Sequence, residues 1–236
     1  GRAKVLTGSW LSALALFVYA AGFSYAYVKL PTAAGALILF GAVQTTMIGY
    51  GLWSGERMRA VQVLGLSAAF AGLVTLLLPG LSAPPPGSSA LMLAAGVAWG
   101  IYSLRGKGSG DPTVVTAGNF LRSVPFTTLL SMAMVADASL DMAGVWYAVI
   151  SGGLASGVGY AIWYAALPGL KATTAATIQL SVPVIAAAGG AIFLGETITL
   201  RLLLSSAGIL GGIALVIMSK KQSGDARQST AREKSS

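Results

Sequence analysis

Runs of apolar residues, separated by short polar or glycine- and proline-rich connections, fill the chain from residue 10 to residue 218. They cover 10–28, 33–53, 61–78, 90–104, 115–136, 144–167, 173–194 and 200–218. At 1.5 Å per residue, about 15 to 23 residues span a hydrocarbon core of about 30 Å. The runs lack the two-residue alternation and the roughly ten-residue length of membrane barrel strands. The pattern predicts an all-α polytopic membrane bundle of eight helices. The stretch around Pro84, Pro85 and Pro86 is an uncharged, turn-rich loop. Residues 219–236 are polar and charged and are expected to be disordered.

The pattern repeats. A shift of 140 positions lays Gly55-Glu56 on Gly195-Glu196, Gly72 on Gly212, Leu64 on Leu204 and Gly49 on Gly189. It also lays Leu14-Ala15 on Leu154-Ala155, Val18 on Val158 and Ala21 on Ala161, without a gap. Helices one to three match helices six to eight, and because a shift of five is odd, matching helices cross in opposite directions. This is an inverted-topology repeat, which lets a midplane site face either side of a membrane. A five-helix unit then occurs complete once, as helices four to eight, and as its last three helices the first time. Two N-terminal helices are therefore expected to be missing, and the first residue, Gly1 rather than Met, fits processing or a boundary upstream. The expected division is 1–79 for the three helices of the first repeat, 80–89 for a linker, 90–218 for the second repeat and 219–236 for a cytoplasmic tail.

Composition sharpens this. Hydrophobic residues make up 55% and charged residues 9% of the 236, against about a quarter charged in soluble domains. The chain has 31 glycines, in keeping with close helix packing in lipid, and no cysteine or histidine. Disulfides, thiolate metal sites and histidine chemistry are excluded. The net charge of +8 lies in short loops and the tail, so it reads as topology and not as a nucleic-acid footprint. With the N-terminus inside, Arg57, Arg59, Arg105, Lys107, Lys171 and the tail cations fall on the cytoplasmic side, and only Lys29 and Arg201 outside. Arg122 is expected to snorkel to the cytoplasmic interface. Both ends of the chain are expected in the cytoplasm, with the bacterial inner membrane as location.

Pro183-Val184 near the start of the seventh helix, Gly195-Glu196 at its end, and Gly208, Gly211 and Gly212 in the eighth form a distinctive set, echoed by Gly55-Glu56 and Gly72. The chain resembles the EamA-type transporters of the drug/metabolite transporter superfamily. Trp99-Gly-Ile-Tyr102 with Arg105 looks like that family's sixth helix. Val43 departs from the resemblance, standing where a second proline often occurs. The resemblance implies ten helices, a central cavity and no ATP, metal or other cofactor. It also implies that the two absent helices line part of the substrate path.

The residues that could carry function are few. No Asp or Glu lies within a span, which favours facilitated export or exchange over proton coupling. Glu56 and Glu196 end one helix and precede the next. Each is read as a cap on the helix that follows, with gating as the sharper alternative. Gln44 and Gln179 are amides within spans and need partners or a wet cavity. Gln179 with Thr177 and Ser181, one turn before Pro183, is the leading polar substrate contact, against a plain helix–helix hydrogen bond. Trp99, Tyr102, Tyr160, Trp163, Tyr164 and Tyr50 are candidates for lining the cavity, against an interfacial or packing role. Gly208 and Gly212 give a small-residue face for tight packing, with a dimer seam as the alternative.

An intramembrane protease would need a histidine base or paired intramembrane carboxylates, and both are absent. No basic cluster lies within the spans to hold phosphate. The reading is an exporter of small metabolites, amino acids foremost, acting by alternating access and not as an enzyme. Multidrug or cationic-compound efflux and a non-transporting membrane scaffold are the alternatives. The expected partners are a small-molecule substrate and the lipid bilayer, without nucleic acid, for a monomer or a homodimer.

Overall fold

The eight apolar runs become eight helical spans, two of which are interrupted. The computed structural model describes residues 7–78, 84–108, 110–137, 141–195 and 197–233. Helices α1 (Trp10–Tyr27), α2 (Thr32–Trp53), α3 (Ala60–Leu77), α4 (Pro86–Gly106) and α5 (Pro112–Ala133) follow in order. Helix α6 (Met142–Val149) runs through a π-helical stretch (Ile150–Ser156) into α7 (Gly157–Ala166). Then come α8 (Ala172–Gln179), α9 (Val182–Leu194) and α10 (Leu200–Glu233). Among the described residues seven spans are long and apolar enough to cross a membrane. The expected fifth, α5, has the length at 22 residues, but Asn119, Arg122 and Pro125 lower its apolar character.

Sequence fixes most boundaries locally. Ser9, Asp111 and Asp141 each accept a backbone N–H in the first turn of the helix that follows. Pro86 and Pro112 stand at helix starts, where a missing N–H costs nothing. Gly55 and Gly195, 140 positions apart, both end a helix with positive φ, 86° and 68°. At Gly55 the closure is a Schellman turn, with Gly55 N–H on Leu52 O at 3.0 Å and Glu56 N–H on Gly51 O at 2.8 Å.

Two expectations change. The predicted seventh helix is divided at Leu180 and Ser181. Pro183 has no N–H to give the carbonyl four residues back, and Leu180 and Ser181 bond instead to Thr177 O and Ile178 O, three residues back. The tail expected to be disordered continues α10 to Glu233. It contains no proline and is rich in Lys, Arg, Gln and Ala, all good helix formers.

The chain forms two compact units, and neither coincides with a repeat. One comprises 1–29 and 85–171, the other 30–84 and 172–236. In the second unit α3 and α10 cross antiparallel through glycines. A Cβ on Gly65 would stand 2.6 Å from Gly212 O, and one on Gly72 would stand 2.9 Å from Ser205 O. A Cβ on Gly72 would also meet Ile209, and one on Gly212 would meet Ala69. Adding 140 to one residue and subtracting it from the other turns the first contact into the second, and the third into the fourth. The packing obeys the repeat. Ala69, Leu73, Leu180, Ile209 and Ile213 form the core beside this crossing.

Candidate functional site

In the first unit, α1, α4, α5 and α7 bring their aromatic side chains together. Trp99 and Tyr102 stand three residues apart on α4, and Tyr160 and Tyr164 four apart on α7, so each pair shares a helix face. Trp99 lies 4.8 Å from both Tyr19 and Tyr160, centroid to centroid. Tyr102 stacks on Tyr164 at 4.8 Å and lies 6.0 Å from Tyr160. Phe120 closes the group at 5.8 Å from Tyr160. Spacings of 4.5 to 7 Å are where the ring quadrupoles attract.

Hydrogen bonds pin the cluster. Trp163 Nε1 donates to Ser103 Oγ at 3.0 Å, and Tyr164 Oη donates to the Tyr102 carbonyl at 2.9 Å. Gly106 leaves room for the Tyr164 ring, which a Cβ there would overlap. Tyr164→Phe is expected to lower stability by about 1 kcal/mol, the net worth of one such bond, read as a small drop in thermal midpoint in detergent.

Next to the aromatic group lies a polar junction. Asn119, fully buried, accepts the Ser9 N–H on Oδ1 at 3.0 Å. Ser9 Oγ and Ser12 Oγ accept from Arg105 at 3.2 and 3.1 Å. Tyr102 faces Asn119 and Thr116. Tyr102 Oη, Thr116 Oγ1 and Asn119 Nδ2 are all buried and face one another, without a hydrogen bond of regular geometry among the described residues. Thr116 and Phe120 also line a groove of about 810 Å³ that runs against Gly152, Gly153 and Gly157. The π-helical stretch lies here, where two adjacent glycines make a regular helix costly.

The second unit holds the amide pair. Gln44 Nε2 donates to Ala176 O at 2.7 Å, and Gln179 Nε2 reaches Met47 Sδ at 3.0 Å. Both amides lie in the seam between α2 and α8. Thr177 is fully buried and bonds its own helix at Thr173 O, and Ser181 is half-buried at the break before Pro183. Tyr50 is 48% exposed and pairs with Trp53 at 6.2 Å. Apart from Tyr50, which lies in neither, the residues nominated to line a cavity fall into an aromatic group in one unit and an amide seam in the other. Gly208 faces Gly72 Cα, at 3.8 Å from its would-be Cβ, on the same α3–α10 crossing as Gly212.

Glu56 corrects an expectation. It does not cap α3, the helix that follows it. Its carboxylate accepts Ala172 N–H at 2.8 Å, Thr173 N–H at 3.1 Å and Thr173 Oγ–H at 2.9 Å, capping α8 more than a hundred residues away. The start of α3 is closed instead by Gln62, whose side-chain carbonyl accepts Arg59 N–H at 3.0 Å. The Schellman turn at Gly55 directs Glu56 away from α3, and Gly51 leaves the space its carboxylate fills. Glu196 lies outside the described residues.

Sequence reasoning passed over Tyr19, Phe120 and Asn119 as site residues. Asn119 carried the same signal as Gln44 and Gln179, an amide within a span.

The comparisons agree with this architecture. A model of the EamA-like transporter family matches residues 88–218. The chain belongs to the EamA-like transporter family. An uncharacterized protein of Pseudomonas aeruginosa is 56% identical over 210 residues, covering 89% of this chain and 73% of that protein. The threonine/homoserine exporter RhtA of Salmonella typhimurium is 33% identical over 118 residues, 47% of this chain and 38% of the exporter. The chain thus matches well under half of that exporter's length. A crystal structure superposes with a TM-score of 0.77 at 22% identity, covering 90% of this chain and 77% of that one, and shares the fold. This EamA-family chain is an all-helical, multi-pass membrane protein.

Proposed function

We propose that this EamA-family protein exports small, neutral metabolites of the amino-acid class, with the aromatic cluster and its polar junction as the solute-facing wall. The observation that carries the reading is the buried polar junction of Tyr102 Oη, Thr116 Oγ1 and Asn119 Nδ2, which face one another without a well-aligned hydrogen bond beside five further aromatic rings. Buried polar groups are costly unless matched, so such a wall suits a solute with one apolar and one polar end. The relatives named as threonine/homoserine exporters support amino acids as that solute. The spans contain no Asp or Glu, which supports facilitated export or exchange over proton coupling. The opposed halves of the repeat support alternating access, and the placement of Lys and Arg supports an inner-membrane protein with both ends in the cytoplasm.

Counterflow of labelled threonine, homoserine and other neutral amino acids in proteoliposomes tests this. Amino acids are expected to accumulate without an ion gradient. Trp99→Ala and Tyr160→Ala are expected to raise the half-saturating concentration roughly tenfold, equivalent to about 1.4 kcal/mol. Tyr50→Ala is expected to leave it unchanged. Movement of cationic dyes alone would favour the alternative of cation efflux, since aromatic faces also bind cations. No movement of either class would count against the reading.

A further inference from the structure

Two grooves lie in series along α5 in the first unit. The first, of about 810 Å³, begins at Asp111 and Thr113 at the start of the helix and takes in Thr116 of the polar junction. The second, of about 580 Å³, lies further along, between Phe17 and Ala20 of α1 and Ser123 and Thr127 of α5. Three residues line both: Ala117, Phe120 and Gly152. Phe120 stands midway between Thr113 and Thr127, about 10 Å along the helix from each.

Of the three shared residues, Phe120 alone carries a large side chain. Ala117 offers a methyl and Gly152 nothing. A Cβ on Gly152 or on Gly153 would meet no atom within 4 Å, so the partition is one aromatic ring beside open space. Tyr160 holds that ring at 5.8 Å, at a tilt and not in a stack. Phe120 is half-buried, and an aromatic side chain on a helix has two χ1 wells open to it. The ring can therefore turn without opening the core. The grooves also differ in what they offer. The first holds Thr116 Oγ1 at the junction, while the Ser123 and Thr127 hydroxyls of the second already donate to Phe120 O and Val124 O of their own helix.

We infer that Phe120 is the size filter of the solute path. Its ring divides the path into a first compartment, where the polar junction holds the solute, and a second, through which the solute leaves. Gly152 leaves the width through which the solute's side chain passes. A short side chain crosses with a small turn of the ring, and an indole or phenyl side chain is held back. The inference rests on the proposed transport of small neutral amino acids and adds the residue that sets which of them cross.

The test has two readouts. The first compares counterflow of labelled tryptophan and labelled threonine in proteoliposomes. Phe120→Ala is expected to raise the tryptophan-to-threonine rate ratio roughly tenfold, the scale on which an apolar pocket reads side-chain size. Gly152→Val, which enters open space, is expected to lower the ratio. A mere loss of packing would slow both solutes alike. The second readout needs no transported solute. The chain has no cysteine, so Thr113→Cys and Thr127→Cys are introduced singly and labelled with a bulky, membrane-impermeant methanethiosulfonate. The reagent is added on the membrane face from which Thr113→Cys reacts. In the Phe120→Ala background Thr127→Cys is expected to react roughly tenfold faster, and Thr113→Cys at an unchanged rate. Where amino acids move, an unchanged ratio overturns the inference. Where none moves, an unchanged Thr127→Cys rate overturns it, and a faster rate upholds the partition while rejecting amino acids as the solute. Size-exclusion identifies a misfolded variant, and if that is Phe120→Ala, Gly152→Val decides by the ratio and by slower labelling of Thr127→Cys.

Discussion

Gly212→Ala is expected to destabilise the protein by about 3 kcal/mol, near the upper end of overpacking costs, while Gly211→Ala next to it is expected to be neutral or slightly stabilising. The two differ by one position on α10 and by what surrounds them. A Cβ on Gly212 meets Gly65 O, Ala69 N and Ala69 Cβ, and a Cβ on Gly211 meets nothing within 4 Å. The obstacles at Gly212 are mostly backbone, which cannot turn aside as a side chain end can. Helices α3 and α10 would have to move apart, loosening the core of Leu73, Leu180 and Ile209 along the crossing. Gly65→Ala strikes Gly212 O and is expected to act similarly. The double variant is expected to cost less than the sum, because one separation of the helices relieves both contacts. Thermal unfolding in detergent, followed by tryptophan fluorescence, reads all four. Equal effects at Gly211 and Gly212 would mean that the helices do not approach through this face.

The sequence was most legible where the cause is local. Apolar runs located the spans, and α2, α3 and α10 begin within a residue of the expected positions because the breaks before them are short. The repeat was legible too, since Gly55 and Gly195 share the left-handed backbone that ends a helix without a Cβ penalty. The break after Gln179 was half legible: Pro183 was seen, but whether a proline kinks a helix or divides it depends on the packing around it. Partnership between distant helices was not legible. Asn119, Ser9 and Arg105 meet although they are far apart in sequence, and no periodicity announces that. Nor does the repeat boundary reveal the compact units, since each takes helices from both repeats. Helix packing in lipid follows small-residue faces, not chain order.

Glu56→Ala is expected to lower stability by about 3 kcal/mol, the other large loss, and Glu56→Gln by about half as much. The first turn of α8 has backbone N–H groups with no partner in its own helix, and a carboxylate there meets the positive end of the helix dipole. Removing Glu56 takes away the acceptor for two backbone donors and the Thr173 hydroxyl together. Glutamine keeps one carbonyl oxygen but loses the charge. The comparison with Asp111→Ala and Asp141→Ala isolates what is special here. Those carboxylates cap their own helices locally and are expected to cost about 1 kcal/mol each. Glu56 instead ties the end of α2 to the start of α8, so its loss also frees one helix from the other. Thr173→Ala is expected to cost about 1 kcal/mol alone and almost nothing once Glu56 is alanine, a coupling that a double-mutant cycle measures. Gly51→Ala, which pushes a methyl toward Glu56 Oε2 at 2.8 Å and Thr173 Cγ2 at 3.0 Å, is expected to reproduce part of the loss. If Glu56 acted only on the helix that follows it, Thr173→Ala and Glu56→Ala would add. Gln62→Ala, which opens the start of α3, would then show the coupling instead.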